Sequence, residues 1–278
     1  MREKKGRSKR ATKHRDEQQL DGGVPGQPPH SAATHSRAHD HGANDARESL
    51  VNGRECGPAN QIATKVEEVA SIHAFMSDLD CKILDPAIVG EECVRSPAAL
   101  YKQHVKHWLD RDPVLAKAQV RDSGHGLHVL LMLDEPIICA GDDARHWDKI
   151  ARGLRNVLPG DPSLNGIVAM TRPVGARNTK VDPPRKVRVL RKGEPITRAE
   201  ILDLNQRLAN APARLWMRLF FGGERASPCP LCGATTHTLG VVGNWQVECY
   251  ECGRVDAAAM VYLFYSPTFL DKREDSRG

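Results

Sequence analysis

Two Cys-x-x-Cys pairs, Cys229 with Cys232 and Cys249 with Cys252, stand near the C-terminus with sixteen residues between them. No other feature limits the fold as strongly. Each pair forms a knuckle that turns two thiolates to one side, and two knuckles complete a tetrahedral shell with no open coordination position. The intervening HTLGVVGNWQVE holds two apolar runs around a Gly-Asn turn, which is the pattern of a hairpin. Residues 227–278 therefore read as a zinc ribbon with structural Zn2+, followed by the short apolar helix of DAAAMVYLFYSP. His237 falls inside the ribbon, and Trp245 reads as covering its small core rather than stacking a base. Disulfides are the other use of such cysteines, but a cytosolic setting and paired spacing argue for metal. Cys56, Cys81, Cys93 and Cys139 lack that spacing and read as free thiols.

No apolar run approaches the roughly 18 residues of a membrane span. The opening MREKKGRSKRATKHRDEQQL has no apolar stretch of a secretory signal, so a cytoplasmic location is expected. Residues 1–20 carry eight Lys and Arg against three Asp and Glu, a surplus of five that equals the net charge of the whole chain, +5. The remainder is near neutral. A basic arm binds nucleic acid by counterion release, and it equally serves as a solubilising tail. Residues 21–60 are rich in Gly, Pro, Ala, His and Asn and poor in large apolar side chains, so 1–60 reads as a disordered basic N-terminal arm. His30, His35, His39 and His41 within it are either a loose metal site or incidental.

Order is expected from about residue 61. In SIHAFMSDLDCK, strand alternation puts Ile72, Ala74, Met76, Asp78 and Asp80 on one face and His73, Phe75, Ser77 and Leu79 on the other. Two carboxylates on one strand face, two residues apart, can converge on divalent cations; the same pair would also simply end a strand in solvent. SPAALYKQHVKHWLDRDP reads as a core helix capped by Ser96 with Pro97 in its first turn. Two strands joined by the turn DSGHG follow, with His128 inside the apolar second strand LHVLLML. That histidine reads as a satisfied core residue or, given the glycine-rich turn, as a ligand contact. A second core helix carries Trp147, Ile150, Ala151, Leu154, Val157 and Leu158 on one stripe and stops at Pro159-Gly160. Strand, helix, hairpin, helix is the order of an α+β fold in which helices cover one sheet face and leave the other as a cleft. KVRVLRKGEPITRAEILDLNQRL adds a strand, a turn and a helix capped by Thr197; the connector APARLWMRLFFGGERASP then places a boundary in 211–226.

Three stretches, in this order, resemble the archaeo-eukaryotic primase superfamily, in particular the primase-polymerase domains of plasmids, phages and other mobile elements. SDLD is similar to its first acidic motif, SGHGLHVLLMLDEPI to its small-Gly-x-Gly-x-His strand, and GDPSLNGIVAMTRPVGARNTK to its third acid and trailing Arg, Pro-Gly, Asn, Lys signature. The resemblance spans about residues 70–180 and implies an α+β primase-polymerase catalytic domain over 61–210 with an RNA-recognition-like sheet. It implies that Asp78, Asp80 and Asp161 hold Mg2+ or Mn2+ and that Ser123 and His128 contact a nucleoside triphosphate. Arg172, Asn178 and Lys180 match the trailing signature. Asp161-Pro162 also suits a helix N-cap with a first-turn proline, and one carboxylate can serve both ends. Val174, Ala176, Asn165 and Ala169 depart from the family pattern.

The resemblance thus implies a DNA primase or primase-polymerase that synthesises primers on a single-stranded DNA template during replication. The alternative is a non-catalytic replication initiator with a decayed primase core. GxxxxGK[ST] is not found in the sequence, so unwinding is expected from a separate replicative helicase. A rolling-circle nickase would need a closely spaced histidine pair followed by a nucleophilic tyrosine, whereas Tyr101 precedes His125 and His128 on a core-facing helix.

Overall fold

The apolar run of LHVLLML and the two-faced strand before it build the central sheet. A computed structural model describes residues 65–275, so the arm at 1–60 and its four histidines lie outside the described residues. Strand β1 (Ser71–Asp80) pairs antiparallel with β3 (Gly126–Ile138), which pairs with β2 (Gln119–Asp122), which pairs with β6 (Arg188–Arg191). The β1–β3 register runs unbroken from Ala74 opposite Met132 to Asp80 opposite Gly126 and shifts between Ile72 and Ala74. Phe75, Ser77 and Leu79 are buried, while Met76, Asp78 and Asp80 are half-exposed, so the expected two-faced strand is present over this stretch.

Before the β2–β3 hairpin the chain is helical. α1 (Pro86–Val89) and α2 (Glu91–Arg95) lead into α3 (Pro97–Leu100), capped by the Ser96 side chain accepting from Ala99 N. A π-turn over Tyr101–Val105 joins α3 to α4 (Lys106–Asp110) and turns Val105, Trp108 and Leu109 inward. Helix α5 (Asp143–Leu154) packs on β1, where Trp147 meets Phe75 at 5.9 Å between ring centres. Helix α6 (Arg198–Asn210) packs on α5 and β3, and its Thr197–Glu200 capping box satisfies amides at both positions. The fold is α+β, with α5 packed on β1 and α6 on β3.

Helix α7 (Pro212–Phe221) buries Pro212, Ala213, Leu215, Trp216, Met217, Leu219 and Phe220, far more than a solvent-spanning connector would. Phe220 packs with Trp108 and with Phe264 at ring distances of 5.3 and 4.8 Å, so one aromatic cluster joins α4, α7 and the C-terminal segment. A short β4 (Arg177–Asn178) and β5 (Arg185–Lys186) pair beside the main sheet. A second antiparallel sheet has the order β10-β9-β8-β7, from β7 (Arg225–Ala226), β8 (Leu239–Val242), β9 (Gln246–Cys249) and β10 (Gly253–Asp256). Its interior is Ala226, Leu239 and Val247, and α8 (Ala257–Met260) and α9 (Pro267–Asp275) are the last helices among the described residues. Trp245 does not cover that interior; it is 52% exposed. The backbone of its turn is held by Ala213 N to Asn244 O and Ala257 N to Trp245 O, which leaves the indole outside. Among the described residues no helix is long and apolar enough to cross a membrane.

Candidate active site

Register brings the first site residues together. Asp78 stands directly opposite His128 across β1–β3, and His128 stands opposite Arg121 across β2–β3, so the three form one row on the sheet. Asp80 stands opposite Gly126, and here the backbones approach closely: a Cβ on Gly126 would lie 2.1 Å from Leu79 O. No side chain fits there. Gly126→Ala is expected to wedge β1 from β3 between the two acids, costing about 1–3 kcal/mol. Chemical denaturation would read this as a lowered midpoint, and an unchanged midpoint would contradict the close approach.

The turn before Gly126 is held by its own side chains. Asp122 Oδ1 accepts from Gly124 N at 2.8 Å, which lets Gly124 take φ +91°. Ser123 Oγ bonds Gly126 at both its carbonyl and its amide, at 3.1 and 3.2 Å. Asn178 Nδ2 donates to Ser123 O at 2.7 Å, and Asn178 Oδ1 accepts from Lys180 N at 3.0 Å. Ser123 and Asn178 are buried, so both position this turn and bring Lys180 to the site.

Asp161 arrives from the stop after α5. Its amide donates to Asp78 O at 2.6 Å, and its Oδ1 accepts from Ser163 N at 2.8 Å. The Asp-Pro pair therefore caps a turn with one carboxylate oxygen while its side chain also lines the site. A pocket of about 430 Å3 gathers Asp78, Asp80, Ser123, His128, Asp161, Arg172, Asn178 and Lys180, joined by His125 and Gly126. All eight residues expected there converge on this pocket.

Charge in the pocket is uneven. Burial, and then repulsion from Asp80 and Asp161, push Asp78 up to about 7 against the pull of Arg172 and Lys180. Arg172 and Lys180 share the pocket with the three carboxyl groups, whose oxygen donors are of the kind that suits a hard divalent cation. Burial, Arg172 and Arg121 hold His128 down to about 4, so it is neutral near pH 7. Its Nδ1 bonds Thr171 Oγ1, and its Nε2 stands 3.8 Å from Asp78 Oδ1, turned to the pocket. Arg121 and Thr171 are not among the residues singled out from sequence. Arg121 lies two residues before Ser123, so alternation gives its face, and the β2–β3 register places it beside His128; it is buried, and its Nη1 has no partner among the described residues.

The four paired cysteines form a separate centre. Their sulfurs all lie within 4.8 Å of one another. Bonds of about 2.3 Å to one tetrahedral ion put thiolate sulfurs about 3.8 Å apart, so the four are within reach of one ion. The amide of Ala234 and the ring of His237 pull Cys232 down to about 6, which favours its thiolate.

No protein-family model and no curated protein matches the chain. Among solved structures, the AEP domain of cyanophage S-2L primase-polymerase is similar at 15% identity and a TM-score of 0.33, covering 51% of this chain and 64% of that one.

Proposed function

We propose that the chain is a template-directed nucleotidyltransferase of the primase-polymerase kind, starting or extending chains on single-stranded DNA. The observation that carries the reading is the convergence of Asp78, Asp80 and Asp161 with Arg172, Lys180 and His128 in one pocket. Divalent cations held by those carboxylates would lower the pKa of an attacking 3′-hydroxyl and stabilise charge on the α-phosphate and the leaving pyrophosphate. Arg172 and Lys180 donate charge-assisted hydrogen bonds to a triphosphate, and they strengthen as negative charge develops. His128 Nε2 faces the pocket, with Thr171 fixing the ring through Nδ1.

A second groove, of about 550 Å3, is lined by Arg95, Arg185, Lys186 and Arg188, a charge that suits template phosphates. In this reading the four cysteines hold Zn2+ as a structural ion, since four thiolates leave no open position for catalysis.

Incubating the protein with single-stranded DNA, Mn2+ or Mg2+ and each labelled nucleotide set tests the proposal. Short labelled products that need template and metal are expected. DNA binding without product from any nucleotide set would replace this reading with that of a non-catalytic initiator.

A further inference from the structure

The chain that leaves the four-cysteine module turns back onto the acid-bearing loops. Phe264 O accepts from Asp85 N at 2.7 Å, and Ser266 N donates to Ile83 O at 2.9 Å, with Leu84 and Tyr265 bridged antiparallel between them. These contacts lie three to five residues beyond Asp80. Tyr265 itself is only 3% exposed, with its ring packed at 5.2 Å from Tyr262 and 5.0 Å from Phe269. Its hydroxyl donates to Gly160 O.

That carbonyl belongs to the peptide unit whose N–H is Asp161 N. The same planar unit is therefore gripped at both ends, by Tyr265 on its oxygen and by Asp78 O on its amide. Gly160 lies flat on the strand there; a Cβ would come within 3.0 Å of Asp78 O. A rigid peptide fixed at both ends sets where the Asp161 side chain starts, relative to Asp78. Gly160 N bonds within the loop, to Leu158 O at 2.7 Å.

We infer that Tyr265 is a positioning residue for the three-carboxylate pocket, setting the distance of Asp161 from Asp78 and through it the affinity for a divalent cation. The inference rests on the proposed role of those acids. It makes the segment after the cysteine module part of the catalytic architecture. Cation affinity depends steeply on ligand placement, so a small drift of one carboxylate weakens binding without unfolding the protein.

The test is Mn2+ binding to the full chain, read from the free-ion electron paramagnetic resonance signal, without template or nucleotide. Tyr265→Phe removes one oxygen and keeps the ring. Its Mn2+ dissociation constant is expected to rise about three- to tenfold, on the scale of one lost buried hydrogen bond. Zinc content and a cooperative melt should be retained. Tyr262→Phe serves as the control, because that hydroxyl accepts from Arg273 instead and its loss should leave Mn2+ affinity unchanged. Folded Tyr265→Phe that binds Mn2+ like wild type, while Asp80→Asn binds it poorly, overturns the inference and leaves the acids' role standing. Undiminished binding by Asp80→Asn overturns that role itself. An equal loss in Tyr262→Phe would show general loosening of the aromatic cluster and also overturn the inference.

Discussion

Asp80→Asn is expected to lower nucleotide incorporation by at least roughly 10²-fold, the scale of losing a major electrostatic contribution to a transition state. The substitution separates chemistry from folding unusually well. Asp80 Oδ1 accepts from Lys82 N at 3.0 Å, and the carboxamide oxygen of asparagine can accept the same bond. One of three mutually repelling charges disappears, so the protein should melt no lower than wild type. DNA affinity should hold or rise slightly, because a negative charge facing phosphates has gone. The measurement is primer extension over a range of Mn2+ concentrations, alongside filter binding of single-stranded DNA. Synthesis within tenfold of wild type would remove Asp80 from the reaction. Loss of synthesis together with DNA binding would point to a damaged fold instead.

How far the site was legible depends on the range of each interaction. Strand alternation near Asp78 and Asp80 needs only neighbours, and it gave the face that lines the pocket. Local chemistry also marked the Ser96 and Thr197 caps, because each satisfies amides within one turn, whereas α5 gives way at Leu154 to a 3-10 turn over Arg155–Val157, ahead of the stop expected at Pro159-Gly160. Arg121 could have been read by the same alternation, but its importance comes from facing His128 across a register that local pattern does not set. Tyr265 had no local signal at all: it lies 105 residues from Gly160, and only the path of the chain through the aromatic cluster brings the two together. Helix α7 shows the opposite limit. Its apolar stripe was visible, but which surfaces it joins depends on Trp108 and Phe264, on elements far apart in sequence. Trp245 misled because an indole beside a small sheet suits a core lid, whereas Leu239 and Val247 already fill that interior.

Cys249→Ser is expected to take bound zinc from about one ion per chain to none and to unfold the module around it. Cys249 is buried, and the buried apolar side chains of the sheet itself are few, Ala226, Leu239 and Val247. A core of that size contributes only a few kcal/mol, whereas structural zinc in small finger peptides contributes roughly 10–16 kcal/mol at neutral pH. A serine hydroxyl stays protonated and is a hard donor, so it does not replace the thiolate. The loss should spread along α7, which packs on β7, β8 and α8, and the melting temperature of the whole protein should fall. Elemental analysis and limited proteolysis are the readouts: zinc near zero, and new cleavage first in 222–256. The second measurement is needed because three remaining thiols can retain some metal without restoring the fold. Wild-type protein without zinc, or Cys249→Ser that keeps both zinc and protease resistance, would defeat the assignment. Asp80→Asn, which leaves all four sulfurs in place, should keep its zinc throughout, so the two substitutions test the two centres independently.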